Sequence, residues 1–356
     1  MLTGHGGNLS EIAREFGLAP DKIIDFSSNV NPFDYPPELE QYLASNLNAI
    51  RRFPETNSQY LGRKLSEIHN CAPEQILVGN GSTEIIYLIP RAFSAKWTLI
   101  VAPTYADYAD AVLFAGGRVD YFFAKRQQAF QPDLPELEKR IDGHDLVFLC
   151  NPNNPTGRLL EPELLRKVMR RFPAVTFVLD ATYSEFVGVQ TSRQALFDLG
   201  NVIELHSLGK IFAVPGLRLG YSICSGELNR RMLKYKEPWT VNTLAQLAGE
   251  FLLRKKSWVT ESRRAIAEEM DFLRKSVSEI SSLHLFDSQT NFCLFEILNP
   301  EVDATFLKDM LLQKNMLIRD CSNFAGLSDR FFRIAVQKRE KNQMLLAALR
   351  EILEEN

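Results

Sequence analysis

The sequence predicts an α/β protein with a mainly parallel seven-stranded sheet flanked by helices and a smaller α+β domain. Seven short apolar segments between residues 75 and 224 predict the strands: QILVGN, TLIVAP, RVDYFF, DLVFLC, TFVLDA, VIELHS and RLGYSIC. Helical stretches separate most of them, and strands buried on both faces of a parallel sheet are apolar along their length. Polar residues follow several of these strands, as is typical of the edge where such sheets bind ligands.

The segments before and after these strands predict the rest of the organisation. NLSEIAREFG is a short helix that ends at Gly17, IIDFSSNVNP begins as a strand, and PELEQYLASNL and YLGRKLSEIH are helices. The chain from Trp239 to about Ile280 is helical and polar enough to link two domains. A strand in LHLFDSQTNFCLFEIL, a helix near 303–315, the strand FFRIAVQ and a final helix predict a small domain. We expect four parts: 1–40, an arm and part of the small domain; 41–245, the large domain; 246–280, the linking helix; 281–356, the C-terminal small domain.

The bulk composition favours a cytoplasmic protein with small-molecule partners. The 356 residues carry 41 basic and 44 acidic side chains, a formal net charge of -3 that gives no reason to expect nucleic acid or membrane as a partner. The five cysteines are scattered without a CxxC pair, which is typical of a reducing compartment. The histidines lack the spacing of metal ligands, so we expect no metal. We also expect no signal peptide and no membrane span.

Reactive and hydrogen-bonding side chains follow two of the predicted strands in particular. Asp180 and Tyr183 follow FVL, Ser207 and Lys210 follow IELH, and Arg218 lies eight residues beyond the lysine. A partly desolvated lysine has a lowered pKa and can attack an aldehyde. A buried carboxylate such as Asp180 can keep a pyridine nitrogen protonated, so that the ring accepts electrons. These residues indicate pyridoxal 5'-phosphate, carried by Lys210 as a Schiff base.

Other polar segments can supply the remaining contacts of this cofactor. Asn154, in NPNNPTG, and Tyr183 can hydrogen-bond the ring hydroxyl, and Tyr105, in APTYADY, can stack on the ring face. The cofactor phosphate needs hydrogen-bond donors and positive charge, which the start of a helix and an arginine provide. The residues predicted to form this cradle are Gly81, Ser82, Thr83, Ser207 and Arg218.

Three motifs, in their order and spacing, resemble those of the fold-type I aminotransferase superfamily. They are NPNNPTG, the DxxY of Asp180 and Tyr183, and the SxxK of Ser207 and Lys210, which Arg218 follows. The resemblance spans most of the chain. It implies the fold of a fold-type I PLP-dependent transferase, in which a large domain holds the mainly parallel sheet and both chain ends build a smaller domain. It also implies a homodimer with active sites at the interface.

Five further segments resemble the threonine-phosphate decarboxylases of cobalamin synthesis, which are relatives of histidinol-phosphate aminotransferase. They are HGGN, DFSSNVNP, PGLRLGY, PWTVNTLAQLAGE and LIRDCSNFAGLSDRFFRIAV. The resemblance implies decarboxylation of L-threonine O-3-phosphate to (R)-1-aminopropan-2-yl phosphate, with Lys210, Asp180 and Tyr183 as catalytic residues. It implies substrate contacts at His5, Gly6, Asn29, Asn154, Arg319 and Arg333. A substrate with a carboxylate and a phosphate needs at least two cationic anchors, which the two arginines can supply.

Three positions depart from the pattern of these relatives. Phe53 stands where a tyrosine usually reaches the partner subunit's cofactor phosphate, and Tyr60 is a candidate to compensate. Gly209 replaces the hydroxyl residue that usually precedes the lysine, and Ser82 replaces an acidic residue. The departures put one intersubunit hydrogen bond in question and remove no catalytic group.

Alternatives remain open at this point. The same residues also suit an aminotransferase acting on histidinol phosphate or a related amino acid, and a non-catalytic binding protein could keep the fold. GNGSTE resembles half of a dinucleotide fingerprint, but Glu84 stands at the third glycine. Arg319 and Arg333 could form structural ion pairs, and Asn29 could serve only a turn.

Overall fold

Helices and strands alternate through the middle of the chain. The structure is a computed structural model that describes residues 8–187, 196 and 199–354. In chain order its strands are β1 (Ile24–Asp25), β2 (Ile76–Asn80), β3 (Trp97–Ala102), β4 (Arg118–Phe123), β5 (Leu146–Cys150), β6 (Thr176–Asp180), β7 (Val202–Ser207), β8 (Leu219–Cys224), β9 (Leu283–Leu285), β10 (Phe292–Ile297), β11 (Met316–Leu317), β12 (Arg319–Asp320) and β13 (Phe331–Ala335). Its α-helices are α1 (Leu9–Phe16), α2 (Glu38–Ser45), α3 (Gln59–His69), α4 (Gly81–Phe93), α5 (Asp107–Phe114), α6 (Leu134–Ile141), α7 (Pro162–Arg171), α8 (Ser184–Val187), α9 (Leu208–Ile211), α10 (Gly226–Leu233), α11 (Thr243–Leu252), α12 (Lys256–Val277), α13 (Ala304–Gln313) and α14 (Arg339–Glu354).

The large sheet contains the seven strands that the apolar segments predicted. Their order is β2-β8-β7-β6-β5-β3-β4. β8 runs antiparallel to both of its neighbours, and the remaining neighbouring pairs are parallel. The prediction of a mainly parallel sheet is confirmed. Because β2, β5, β6 and β7 point the same way, the polar residues that follow them meet at one edge of the sheet.

Both faces of this sheet are apolar because helices cover both. In β5, Phe148 faces a core shared with α4, α5 and α10. Its neighbours Val147 and Leu149 face the opposite core, which α6 and α7 close. Successive side chains of a strand point to opposite faces, so burial on both sides requires an apolar residue at every position. This explains why the strands could be recognised as continuous apolar segments.

A smaller antiparallel sheet, ordered β12-β13-β10-β9, forms the second part of the molecule. Its core takes side chains from α12, α13 and α14 and also includes Phe26, just after β1. β1 itself pairs in parallel with β11, and the backbone N–H of Ala335 donates to the carbonyl of Phe26 at 2.7 Å. Segments near both ends of the chain therefore build this part, while the exact domain limits stay predictions.

The linking segment differs from the single helical stretch that was predicted from Trp239 to Ile280. Two helices occupy it, α11 and α12, because Lys255 leaves the helical conformation with φ -92° and ψ 50°. The break lets α11 pack against the large sheet. α12 then spans both cores, since its Ile266 belongs to the core of the large sheet and its Met270 to that of the small one. None of the helices in the described ranges combines the length and the apolar character that crossing a membrane requires.

Candidate active site

A cavity of about 640 Å³ lies where the polar ends of the central strands meet. Every predicted site residue that the structure describes lines this cavity: Asn29, Gly81, Ser82, Thr83, Tyr105, Asn154, Asp180, Tyr183, Ser207, Lys210, Arg218, Arg319 and Arg333. His5 and Gly6 were also predicted as site residues, and both lie outside the described residues. The cavity therefore brings together side chains that are separated by up to about three hundred positions in the chain.

Lys210 lies on the short helix α9, which begins directly after β7. Burial lowers the pKa of its ε-amine to about 8, and the positive charges of Arg333 and Arg218 add to this effect. The carboxylate of Asp180 opposes the shift in part. A larger fraction of the amine is therefore neutral near neutral pH than in an exposed lysine, which is the form that attacks an aldehyde.

Asp180 is the last residue of β6, and each of its carboxylate oxygens accepts one hydrogen bond from the protein. The N–H of Thr182 donates to Oδ1 at 2.9 Å, and the hydroxyl of Tyr108 donates to Oδ2 at 2.6 Å. Tyr108 was not predicted as a site residue. It follows Tyr105 by three positions, a spacing that brings two side chains to one side of a helical turn, and their rings pack edge to face at 5.7 Å.

Tyr183 and Asn29 form a buried pair beside the lysine. Asn29 Nδ2 donates to the Tyr183 hydroxyl at 3.4 Å, and the ring of Phe292 packs edge-on against Tyr183 at 4.8 Å. Burial raises the pKa of Tyr183 to about 12, although Arg333 and the hydrogen bond from Asn29 oppose the shift. Asn29 Oδ1 is buried and has no hydrogen-bond partner among the described residues, so it can accept a hydrogen bond from a ligand.

The start of α4 and the guanidinium of Arg218 form an anion cradle. Gly81 has φ +75°, and a Cβ there would lie 2.7 Å from Arg218 Nη2. A Cβ at Gly220 would lie 2.3 Å from the backbone nitrogen of Ser82. Both glycines are therefore required for the arginine and β8 to approach the N–H groups that begin this helix. Such N–H groups, together with a guanidinium, are suited to a phosphate.

Arg333 is buried, and its hydrogen-bond partners are neutral. Its Nη1 donates to Asn154 Oδ1 and its Nη2 donates to the carbonyl of Ser27 at 2.7 Å, while the guanidinium lies 5.4 Å from the ring centre of Phe292. Its Nε has no hydrogen-bond partner in the part of the chain that the structure describes, and no described carboxylate forms an ion pair with it. A buried cation without a counter-ion is costly, so a ligand anion would stabilise it.

Arg319 lies beside this side chain, directly across the strand pair β12–β13. Its Nη2 donates to Asn323 Oδ1 at 2.8 Å, its Nη1 donates to the carbonyl of Asp320, and the guanidinium lies 5.0 Å from the ring centre of Phe324. The cavity therefore holds two guanidinium groups on neighbouring strands. The open alternative of structural ion pairs does not apply to Arg333 within the described residues.

The positions that depart from the relatives lie in different surroundings. Phe53 is 83% exposed, packs against Trp239 at a ring distance of 5.4 Å, and does not line the cavity; neither does Tyr60. A Cβ at Gly209 would lie 3.3 Å from the Cα of Pro215, which is a tight contact. Glycine at 209 thus allows α9 to pack closely against the loop that follows it.

The assembled residues fit pyridoxal 5'-phosphate. The cavity offers an amine with a lowered pKa, a carboxylate held by two donors, phenol groups, and an anion cradle that any Cβ at position 81 would crowd. These are the groups that an aldehyde, a pyridine nitrogen, a ring hydroxyl and a phosphate require. Among the buried polar atoms without a partner in the described residues, Asn29 Oδ1, Thr182 Oγ1 and Arg333 Nε belong to residues that line the cavity.

Comparison with known proteins agrees with this chemistry. The family described as aminotransferase class I and II matches residues 21–349. The chain is 34% identical over 355 residues to the threonine-phosphate decarboxylase of Salmonella typhimurium, covering 99% of this chain and 97% of that one. It is similar to the crystal structure of L-threonine-O-3-phosphate decarboxylase from Porphyromonas gingivalis, with a TM-score of 0.83, 32% identity and coverage of 92% and 99%. It is also similar to that of histidinol-phosphate aminotransferase from Clostridium acetobutylicum, with a TM-score of 0.87, 27% identity and coverage of 93% and 99%.

The match confirms the predicted superfamily and its fold-type I architecture. The match extends through the large and the small sheet, and apart from Leu9 every residue that lines the cavity lies in the matched range. The chain therefore belongs to the aminotransferase class I and II family of enzymes, whose members depend on pyridoxal 5'-phosphate, the cofactor that the sequence predicted.

Proposed function

We propose that this enzyme decarboxylates L-threonine O-3-phosphate to (R)-1-aminopropan-2-yl phosphate, a reaction of cobalamin biosynthesis. The observation that carries the proposal is the pair of adjacent guanidinium groups, Arg319 and Arg333, at one side of the cavity that holds Lys210. A substrate with both a carboxylate and a phosphate matches two cations held side by side. The relatives named as threonine-phosphate decarboxylases support the same choice.

We assign the cofactor contacts to the residues that line the strand ends. Lys210 would hold the cofactor covalently, and Asp180 would face its ring nitrogen. Tyr105 would stack on the ring, and Asn154 and Tyr183 would hydrogen-bond its hydroxyl. The residues that would hold the phosphate are Gly81, Ser82, Thr83, Ser207 and Arg218. When bound, the cofactor supplies an aldehyde for attachment and a ring that accepts the electron pair released by decarboxylation.

Substrate orientation is assigned to Arg319, Arg333, Asn29 and Asn154, and substrate contacts are also proposed for His5 and Gly6. Loss of carbon dioxide requires the breaking bond to stand perpendicular to the cofactor ring, so the carboxylate must be held out of that plane. Anchors at fixed positions on β12 and β13 can hold it there, because a strand pair is more rigid than a loop.

Lys210 Nζ is the atom that we assign to proton transfer. Its pKa of about 8 leaves a usable fraction of neutral amine at neutral pH. Once displaced by the substrate amine, this nitrogen can hold a proton and return it to the carbon that has lost carbon dioxide. Arg333 and Arg218 favour release of that proton, because both lower the pKa of the ammonium group.

We also propose that the protein acts as a homodimer in the cytoplasm. Support for the dimer comes from large apolar side chains that are exposed on the large domain, among them Leu47, Ile50, Phe53 and Trp239. Phe53 and Trp239 contact each other. Exposed apolar surface that is larger than single scattered side chains is typical of an interface between subunits. Sedimentation velocity of the holoenzyme tests the dimer, and a monomer at micromolar concentration would contradict it.

The second candidate function is transamination of histidinol phosphate, which the similarity to the Clostridium acetobutylicum enzyme favours. The two reactions differ in what they require. We expect the holoenzyme to release carbon dioxide from L-threonine O-3-phosphate without any keto-acid acceptor. The proposal would be overturned by two results together: amino transfer from histidinol phosphate that depends on 2-oxoglutarate, and no release of carbon dioxide from threonine phosphate.

A Lys210→Ala variant provides the matched control for both assays. It should abolish turnover on either substrate, because the other described lysine that lines the cavity, Lys341, is exposed, whereas Lys210 is buried with a lowered pKa. A third possibility is a binding protein without catalytic activity. It predicts no turnover by the wild-type holoenzyme with either substrate, so the same two assays distinguish all three.

A further inference from the structure

Asp180 depends on one side chain from outside its own strand and loop. Its Oδ1 is held by the local N–H of Thr182, two residues away. Its Oδ2 is held by the hydroxyl of Tyr108, which lies 72 positions away on α5. The distance of 2.6 Å is typical of a hydrogen bond from a hydroxyl to an ionised carboxylate. This second contact therefore connects β6 with α5 in the large domain.

Packing around the ring of Tyr108 fixes the position of its hydroxyl. The side chain is fully buried, its ring stacks on Phe148 at 4.9 Å with an interplanar angle of 12°, and Tyr105 packs edge-on against it. Burial raises the pKa of the Tyr108 hydroxyl well above its ordinary value, and the charge of Asp180 adds to the shift. The phenol is therefore protonated near neutral pH and can donate to the carboxylate.

A carboxylate that faces a pyridine nitrogen shares one proton with it. The proton can stay on the nitrogen, which leaves a carboxylate and a pyridinium ion, or it can move to the carboxylate, which leaves two neutral groups. A buried site of low polarity favours the neutral pair, whereas each hydrogen bond donated to the carboxylate favours its ionised form. The balance between these states decides whether the ring can accept electrons.

We propose that Tyr108 is a positioning residue that keeps the proton on the ring nitrogen of the cofactor by donating a hydrogen bond to Asp180. The inference rests on the contact between Asp180 and the ring nitrogen that is part of the proposed function. It does not depend on the choice between decarboxylation and transamination, because both reactions use the protonated ring. Tyr108 touches neither the substrate nor the reacting atoms in this arrangement.

The test replaces Tyr108 by phenylalanine and observes the ring nitrogen directly. The Tyr108→Phe protein keeps the ring stack on Phe148 and should fold with a circular dichroism spectrum like that of the wild type. It is reconstituted with pyridoxal 5'-phosphate that carries ¹⁵N in the ring, and the ¹⁵N resonance is recorded by NMR. We expect the resonance to move from the pyridinium position toward that of neutral pyridine, and kcat to fall about tenfold or more with a smaller change in KM.

Two further variants serve as controls, so that each result shows which of the two assignments, that of Tyr108 or that of Asp180, is wrong. Tyr121→Phe, which removes a tyrosine hydroxyl from the edge strand β4, should leave the resonance and kcat unchanged. Asp180→Asn should abolish the pyridinium signal. If Asp180→Asn does so while Tyr108→Phe keeps a fully protonated ring, the role inferred for Tyr108 is wrong. If the ring stays protonated in Asp180→Asn as well, the assignment of Asp180 to the ring nitrogen fails instead.

Discussion

Arg319 and Arg333 are direct cross-strand partners in the antiparallel pair β12–β13. Two like charges directly opposite each other destabilise a strand pair, so this placement costs folding free energy. Neutral groups accept hydrogen bonds from both guanidinium ions, among them Asn154 for Arg333 and Asn323 for Arg319. A ligand with two negative groups that binds at the two cations would offset this cost. The substrate proposed for the enzyme carries two such groups, a carboxylate and a phosphate.

Replacing Arg333 by glutamine should impair catalysis on threonine phosphate severely. In the proposed complex Arg333 forms a charge pair with an anionic group of the substrate, and loss of one partner of such a buried pair costs about 2–5 kcal/mol, so kcat/KM should fall by roughly thirtyfold or more. Steady-state release of carbon dioxide measures the change. Arg264→Gln is the matched control, because that arginine is 79% exposed on α12 and should leave kcat/KM within twofold. Equal effects of the two substitutions would contradict the role of Arg333.

The lowered pKa of Lys210 predicts how the apoprotein captures its cofactor. Only the neutral amine attacks the aldehyde, so the rate of capture should rise with pH and level off above the pKa of about 8. An exposed lysine would show a rate that keeps rising toward its ordinary pKa of 10.5. Stopped-flow absorbance at several pH values measures the profile, and a rise without a plateau up to that value would contradict the environment assigned to the amine.

The same pKa also predicts a pH dependence of folding stability. Between pH 8 and 10.5 the unfolded chain holds a proton on Lys210 that the folded chain has lost, so the folded state gains stability as the pH rises through this window. Lys210→Met removes the charge at similar size. The variant apoprotein should be more stable than the wild type below pH 8, with an advantage that shrinks above it. Urea unfolding at pH 7 and pH 9.5 measures the two differences, and a constant difference would count against burial of the charge.

Gly81→Ala should weaken cofactor binding beyond its effect on stability. A Cβ at this position would crowd Arg218 Nη2 at 2.7 Å, and the residue has φ +75°. Gly143→Ala is the control, because Gly143 has φ +87° but no atom within 4 Å of a Cβ. Both substitutions should cost about 1–3 kcal/mol of stability from backbone strain. Only Gly81→Ala should raise the cofactor dissociation constant, by about tenfold or more, and a fluorescence titration measures it. Equal dissociation constants for the two variants would contradict the assignment of Arg218 to the anion cradle.

The sequence predicts the large sheet well because its strands are buried on both faces. β5, with five buried residues, stands out against the helices on either side. The site residues at the ends of β6 and β7 could be predicted for the same reason, since the carboxyl ends of parallel strands meet at one edge. Lys210 and Asp180 are therefore found from local pattern and topology alone.

Long-range geometry could not be predicted in the same way. The opposition of Arg319 and Arg333 depends on the register of β12 against β13, which the intervening loop decides. The bond from Tyr108 to Asp180 joins residues that no local pattern connects, and a tyrosine in an apolar helix looks like an ordinary core residue. The end of α11 before Lys255 was also missed, because charged residues around it fit a continuous helix equally well.

Covalent capture of the cofactor by Lys210 is the claim on which every assigned role depends. Reduction of the holoenzyme with borohydride, followed by proteolysis and mass spectrometry, tests it most directly. The account predicts a single phosphopyridoxyl adduct on the ε-amine of Lys210, absent when the residue is replaced by alanine. An adduct on a different lysine, or none at all in a protein that has bound the cofactor, would contradict it.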